Sequence, residues 1–266
     1  LAERLNAQAI GKQQGAKPRE TAMRQYAFIG LGKLGMSMLE SIAKVTDQIV
    51  VIDQNPALID RVKDLVRTAY VADAMEGGAL ERILPDAVDV AVVDMGDNIE
   101  AALLVTHSLK KHGVNEIIVK ADSDERSEIL RIVGATRVVR SDREAAARIV
   151  PLVLSSSLYN FIPIGGDLVM AEVSVPSDLP GKTLVEADLR RRAGVNVVAI
   201  RSKDSTAYRN FDRDYRLVES DLLLVAGNES EVFAFSGVPQ ATSRTRKGST
   251  ISSIMKTIFK PGTAGK

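Results

Sequence analysis

Between Tyr26 and about Arg140, short apolar runs alternate with segments whose apolar residues recur at helical spacing. The runs Tyr26–Ile29, Gln48–Asp53, Thr68–Val71, Val88–Asp94, Glu116–Lys120 and Thr136–Arg140 read as strands. The intervening segments Lys33–Val45, Pro56–Leu65, Met75–Leu84, Ile99–His112 and Asp124–Val133 read as amphipathic helices. Strands this rich in Val and Ile, with little polar alternation, belong to a parallel sheet buried on both faces, because each crossover lays a helix against one face. The pattern therefore predicts an α/β fold, a Rossmann-like doubly wound parallel sheet of six strands, with its ligand crevice at the carboxyl ends of the strands.

Past residue 140 the strand–helix alternation ends, and near residue 160 the pattern changes character. Ser141 to about Tyr159 reads as one long helix, which Pro151 should kink or break because proline has no N–H for the preceding turn. Phe161–Gly166 reads as a linker. Beyond it lie strand candidates Leu168–Val175, Val195–Arg201 and Asp221–Ala226 and a helix at Thr183–Arg191, a second, smaller α+β domain without a glycine turn of its own. The expected organisation is an extension or linker over 1–22, the doubly wound domain over 23–160, the smaller domain over 161–237 and a basic tail over 238–266. The tail carries Arg244, Arg246, Lys247, Lys256, Lys260 and Lys266 with no acidic residue, and Ile251–Phe259 has helical apolar spacing. Such a segment suits either a solvated tail or a membrane surface or partner.

The chemistry concentrates at the first strand-to-helix turn, Gly30-Leu-Gly32-Lys33-Leu34-Gly35. In a strand–GxGxxG–helix unit the first glycine turns the chain, the second lets backbone N–H groups approach phosphate oxygens, and the third packs the helix onto the sheet. The helix N-terminus adds unpaired donors and a positive dipole end. Asp53 follows Gly35 by 18 positions and ends the second strand, where a carboxylate meets ribose hydroxyls. The same glycines also suit a tight turn in an α/β domain that binds nothing. Ala72-Asp73-Ala74, Asp94–Asn98 and Lys120-Ala121-Asp122 end or follow the third, fourth and fifth strands and so surround the same crevice.

Composition trims the alternatives. A net charge of +1 provides no field to gather nucleic acid. Zero cysteines remove disulfides, thiolate metal sites and cysteine nucleophiles. No run reaches the roughly 18 apolar residues of a membrane-spanning helix. A dehydrogenase needs a placed proton carrier beside the nicotinamide, but the only histidines, His107 and His112, fall on one surface-spaced helix. Arg190, Arg191 and Arg192 are consecutive and cannot share one helix face. There is no HExxH pair and no G-x-S-x-G elbow. The residues point to a protein that binds a nucleotide to change shape, rather than to an enzyme.

Taken together, Tyr26–Asp53, Ala72-Asp73-Ala74, Asp94–Asn98, Val119-Lys120-Ala121, Ile132-Val133-Gly134-Ala135-Thr136-Arg137-Val138 and the module from Gly166 to Phe235 resemble an RCK protein. These regulators of potassium conductance, the TrkA-type or KtrA-type subunits, join a TrkA-N to a TrkA-C domain. The resemblance spans about residues 24–236. It implies a cytoplasmic regulatory subunit, peripheral on the inner face of the cell membrane. It also implies a homo-oligomer, dimeric through its N-terminal domain and commonly an octameric ring, that gates a membrane-embedded potassium-translocating subunit.

The implied ligands are ATP and ADP, or NAD and NADH. The implied binding set is Gly30, Gly32, Lys33, Leu34, Gly35, Asp53, Gln54, Asp73, Ala74, Met95, Gly96, Asn98 and Lys120. Lys33 stands where KtrA-like members usually carry an arginine, keeping the charge but losing the bidentate fork. Some members hold a divalent cation near the position of Asp142, and several bind cyclic di-AMP in the second domain, where Val198-Ala199-Ile200-Arg201 matches the lining strand. Two readings stand beside this one. They are an NAD(P)-dependent oxidoreductase and the cytosolic gating domain of a single-chain potassium channel.

Overall fold

A computed structural model describes residues 24–85, 87–212 and 214–239. The expected extension and basic tail, with the Ile251–Phe259 segment, lie outside the described residues. By its contacts the chain divides after Val139 into two compact units. Among the described residues no helix is long and apolar enough to cross a membrane.

The first unit alternates β1 (Tyr26–Ile29), α1 (Lys33–Ile42), β2 (Ile49–Asp53), α2 (Pro56–Val62), β3 (Thr68–Val71), α3 (Ala79–Ile83), β4 (Val90–Val93), α4 (Ile99–His112), β5 (Glu116–Lys120), α5 (Asp124–Val133) and β6 (Arg137–Val139). The strands form one parallel sheet in the order β3-β2-β1-β4-β5-β6. The order reverses between β1 and β4, which opens a crevice at their carboxyl ends. Alternate strand residues feed two apolar layers. Phe28, Val51 and Val92 pack with Met36 and Leu39 of α1 and Ile59 of α2. Ala27, Ile29, Ala91, Val93 and Ile117 pack with Leu80, Val105, Leu109 and Leu130 on the other face.

The second unit opens with α6 (Ser141–Leu154), followed by β7 (Leu158–Gly165), β8 (Leu168–Ser174), α7 (Leu184–Ala187), α8 (Leu189–Ala193), β9 (Asn196–Ser202), β10 (Asp221–Asn228) and α9 (Glu229–Phe235). Its antiparallel sheet has the order β7-β8-β10-β9. Three expectations are corrected here. Pro151 falls in the last turn of α6, which therefore runs through it and ends at Leu154 rather than near Tyr159. The stretch read as a linker is the edge strand β7, anchored by buried Phe161 stacked on Phe233 at 5.3 Å. The single helix expected over Thr183–Arg191 is two short ones, parted at Asp188, whose φ of 42° no helix accommodates. The division by contacts puts α6 in the second compact unit, which begins at Arg140.

Candidate functional site

The strand ends β1 to β4 enclose a crevice of about 320 Å³. Of the residues expected there, Gly30, Gly32, Asp53, Gln54, Asp73, Ala74, Met95, Gly96 and Asn98 line it. Gly30 has φ 78°, and a Cβ on it would stand 2.5 Å from the Asp94 carbonyl oxygen, so only glycine makes this turn. Asp53 reaches across from β2. Its Oδ2 accepts from the Leu31 N–H at 2.6 Å and its Oδ1 from the Asn55 N–H at 2.8 Å. Each carboxylate oxygen still has a lone pair for an incoming hydroxyl. Asp73 Oδ1 accepts from the Met75 N–H at 2.9 Å, while Asn55 and Asn98 cap α2 and α4 with their side-chain oxygens. These side chains fix the loops that shape the crevice.

The remaining expected residues lie elsewhere. Lys33 is exposed and outside the lining, and its backbone N–H has no partner among the described residues. Leu34 and Gly35 lie beneath the crevice, where their N–H groups both donate to Asp94 Oδ2 at 3.0 Å. Lys120 stands behind the crevice with its Nζ 3.8 Å from Asp94 Oδ1. Asp142 is exposed in the first turn of α6, and no cluster of three or more metal-binding side chains occurs among the described residues.

Sequence reasoning missed the part played by Asp94. It follows β4 as one more member of a loop, yet its side chain is fully buried. Its carboxylate takes the N-terminal donors of α1 across about 60 residues of chain, with Gly96 N–H adding a longer contact at 3.3 Å. No local spacing signals such a partnership. Leu31, Asn55, Leu58 and Met75 also line the crevice and were not anticipated.

The second unit has a hollow of about 350 Å³ bordered by Leu179, Leu189, Arg192, Glu231 and Phe235. Its Arg192 pairs with Asp178 at 3.5 Å in an exposed ion pair, and none of the expected site residues reaches it. Of the strand matched to a cyclic di-AMP pocket, Val198 is exposed, Ile200 is a core residue and Arg201 is bonded to Glu172.

The TrkA-N domain model matches residues 26–141 and the TrkA-C domain model residues 168–236. This chain belongs to the RCK family. It is 26% identical over 212 residues to Ktr system potassium uptake protein C of Bacillus subtilis (strain 168), covering 80% of this chain and 96% of that protein. It is likewise 26% identical over 213 residues to Ktr system potassium uptake protein A of Vibrio alginolyticus, with 80% and 96% covered. Among solved structures, the GsuK RCK domain superposes with a TM-score of 0.56 at 19% identity, over 84% of this chain and 48% of that one. The GsuK channel bound to NAD superposes equally well at 18% identity, over 85% and 41%. The chain thus spans about half or less of the GsuK chains it matches, and that likeness establishes the RCK fold.

Proposed function

We propose that this RCK protein is a nucleotide-binding regulatory subunit of a potassium uptake system, and that ligand in the crevice changes the shape of a homo-oligomer docked on the inner face of a membrane-embedded potassium-translocating partner. The observation that carries the reading is the crevice itself. It sits where strand order reverses, with the Gly30 turn on one wall and the Asp53 carboxylate on the other. Matches covering 96% of two Ktr potassium uptake proteins and 80% of this chain supply the transport context. An adenine nucleotide, with ATP, ADP, NAD and NADH as the candidates, would place its ribose hydroxyls on Asp53 and its adenosine half beside Asp73 and the 94–98 loop. Gating then follows from differential affinity, since a ligand shifts an equilibrium between shapes only by the difference in how well it binds them.

An oxidoreductase is disfavoured by the lining. Among the described residues it holds no His, Tyr, Lys or Arg to carry a proton beside a hydride acceptor. His107 is exposed on α4, and His112 contacts the Pro85 carbonyl at 3.2 Å. A thermal-shift titration of the full chain with ATP, ADP, NAD and NADH tests the reading. Saturable stabilisation is expected, reaching about 2.7 kcal/mol at a hundred times Kd, with no nicotinamide turnover against small alcohols and carbonyls. A flat response to all of them, or turnover, would overturn it.

A further inference from the structure

The side of the crevice built for a nucleoside and the side expected to hold phosphate differ. On the phosphate side, two of the first-turn donors of α1 that a bound anion would use are already engaged, and among the described residues the Lys33 N–H is left open. Leu34 and Gly35 both give their N–H groups to Asp94 Oδ2 at 3.0 Å, and Met36 gives its own to the Gly32 carbonyl. Gly32 has ordinary extended backbone, φ −62° and ψ 178°, so it uses none of glycine's special freedom. What demands glycine there is space, because a Cβ would fall 2.2 Å from Asp94 Cγ. The gap that a glycine-spaced turn opens above a helix terminus is filled by this chain's own carboxylate. That carboxylate is buried, and among the described residues the cation paired with it is Lys120 at 3.8 Å.

We propose that Asp94 is a specificity-determining residue. It occupies the anion position at the α1 N-terminus and so selects against ligands that concentrate phosphate charge there. The inference rests on the nucleotide reading of the crevice and sharpens it to a substrate class. Adenosine-bearing ligands of low charge density are favoured over ADP and ATP. An arriving phosphate must either displace a carboxylate from charge-assisted bonds to two N–H groups or lie beside a like charge, and both oppose binding. Asp94→Asn keeps the shape and an oxygen acceptor for the same N–H groups, removes the charge, and releases Lys120 to face the ligand.

The test is a calorimetric titration of the full chain and of Asp94→Asn with adenosine, ADP and ATP, in the presence of a chelator so that no metal neutralises the phosphates. In the native chain ADP is expected to bind no tighter than adenosine. In Asp94→Asn it should gain about tenfold or more over adenosine, ATP still more, with adenosine itself nearly unchanged. Binding of ADP by the variant alone would support the inference equally. Lys120→Met provides a second arm that leaves Asp94 in place. Loss of the cation paired with Asp94 should lower ADP affinity relative to adenosine. A native chain that already prefers ADP by tenfold, with the ratio unmoved in both variants, overturns the role of Asp94 and leaves the crevice reading intact. No saturable binding of any compound by any of these proteins overturns the crevice reading, and the inference with it.

Discussion

Both units bury acidic side chains, and they satisfy them by different means. In the first unit the Asp94 carboxylate is held mainly by backbone N–H groups beneath a crevice. In the second, Glu172 is bonded by Arg201 through both guanidinium branches and by the Tyr208 hydroxyl at 3.0 Å. Asp221 there accepts from the Tyr215 hydroxyl at 2.7 Å, from Arg209 at 3.2 Å and from the Val218 N–H at 3.0 Å. The second arrangement supplies its own countercharge from side chains on neighbouring strands and loops, so it closes on itself and holds the antiparallel sheet in register. The first draws on donors that a ligand also wants. A buried acid satisfied by side chains marks architecture here, whereas one satisfied by a helix terminus marks a place where binding and folding compete.

That contrast is broken most forcefully at Arg201. Arg201→Met strands Glu172, whose side chain is 4% exposed, without its cation. Loss of about 3–5 kcal/mol is expected in the denaturation of the second unit, while the double change Arg201→Met with Glu172→Leu recovers most of it. An equal loss in the double variant would show that the pair does not act as a unit.

A smaller effect is expected at Gly32. Gly32→Ala forces Asp94 from its seat and should cost about 1–3 kcal/mol in the first unit. The same change should cost under about 0.5 kcal/mol when added to Asp94→Ala, because the clash has gone. Additive losses would mean that some other neighbour requires the glycine.

The smallest effect sharpens the comparison through pH. Burial, and then the hydrogen bonds to Glu172 and Asp221, raise the pKa of Tyr208 and Tyr215 above the ordinary value of 10.0. A group held protonated in the folded state contributes fully below its unfolded pKa and loses that contribution as pH rises through the folded one. The second unit should therefore weaken above about pH 10, and Tyr208→Phe together with Tyr215→Phe should flatten that part of its stability profile. An unchanged profile in the double phenylalanine variant would count against the assignment.

Much of the first unit was legible because a parallel sheet buried on both faces writes itself as apolar runs. Tyr26–Ile29, Thr68–Val71 and Glu116–Lys120 end where the pattern ends. The second unit was less legible for a physical reason. As an edge strand β7 pairs on one side only, passes two register shifts and contains Pro163, so its residues lack clean alternation and read as a linker. On the crevice, Asp53 and the glycines were readable because their spacing is set by the turn that needs them. Asp94 was not, because its partners Leu34 and Gly35 are about 60 residues away and the interaction exists only once β1 and β4 lie side by side.

The most direct test of the regulatory reading is calorimetry of adenine nucleotides on the full chain beside Asp53→Ala. The account predicts saturable binding by the native protein, weakened in the variant by about 1.5–3 kcal/mol as hydrogen bonds between ribose and a charged group are lost. Equal affinity in the two proteins would contradict it.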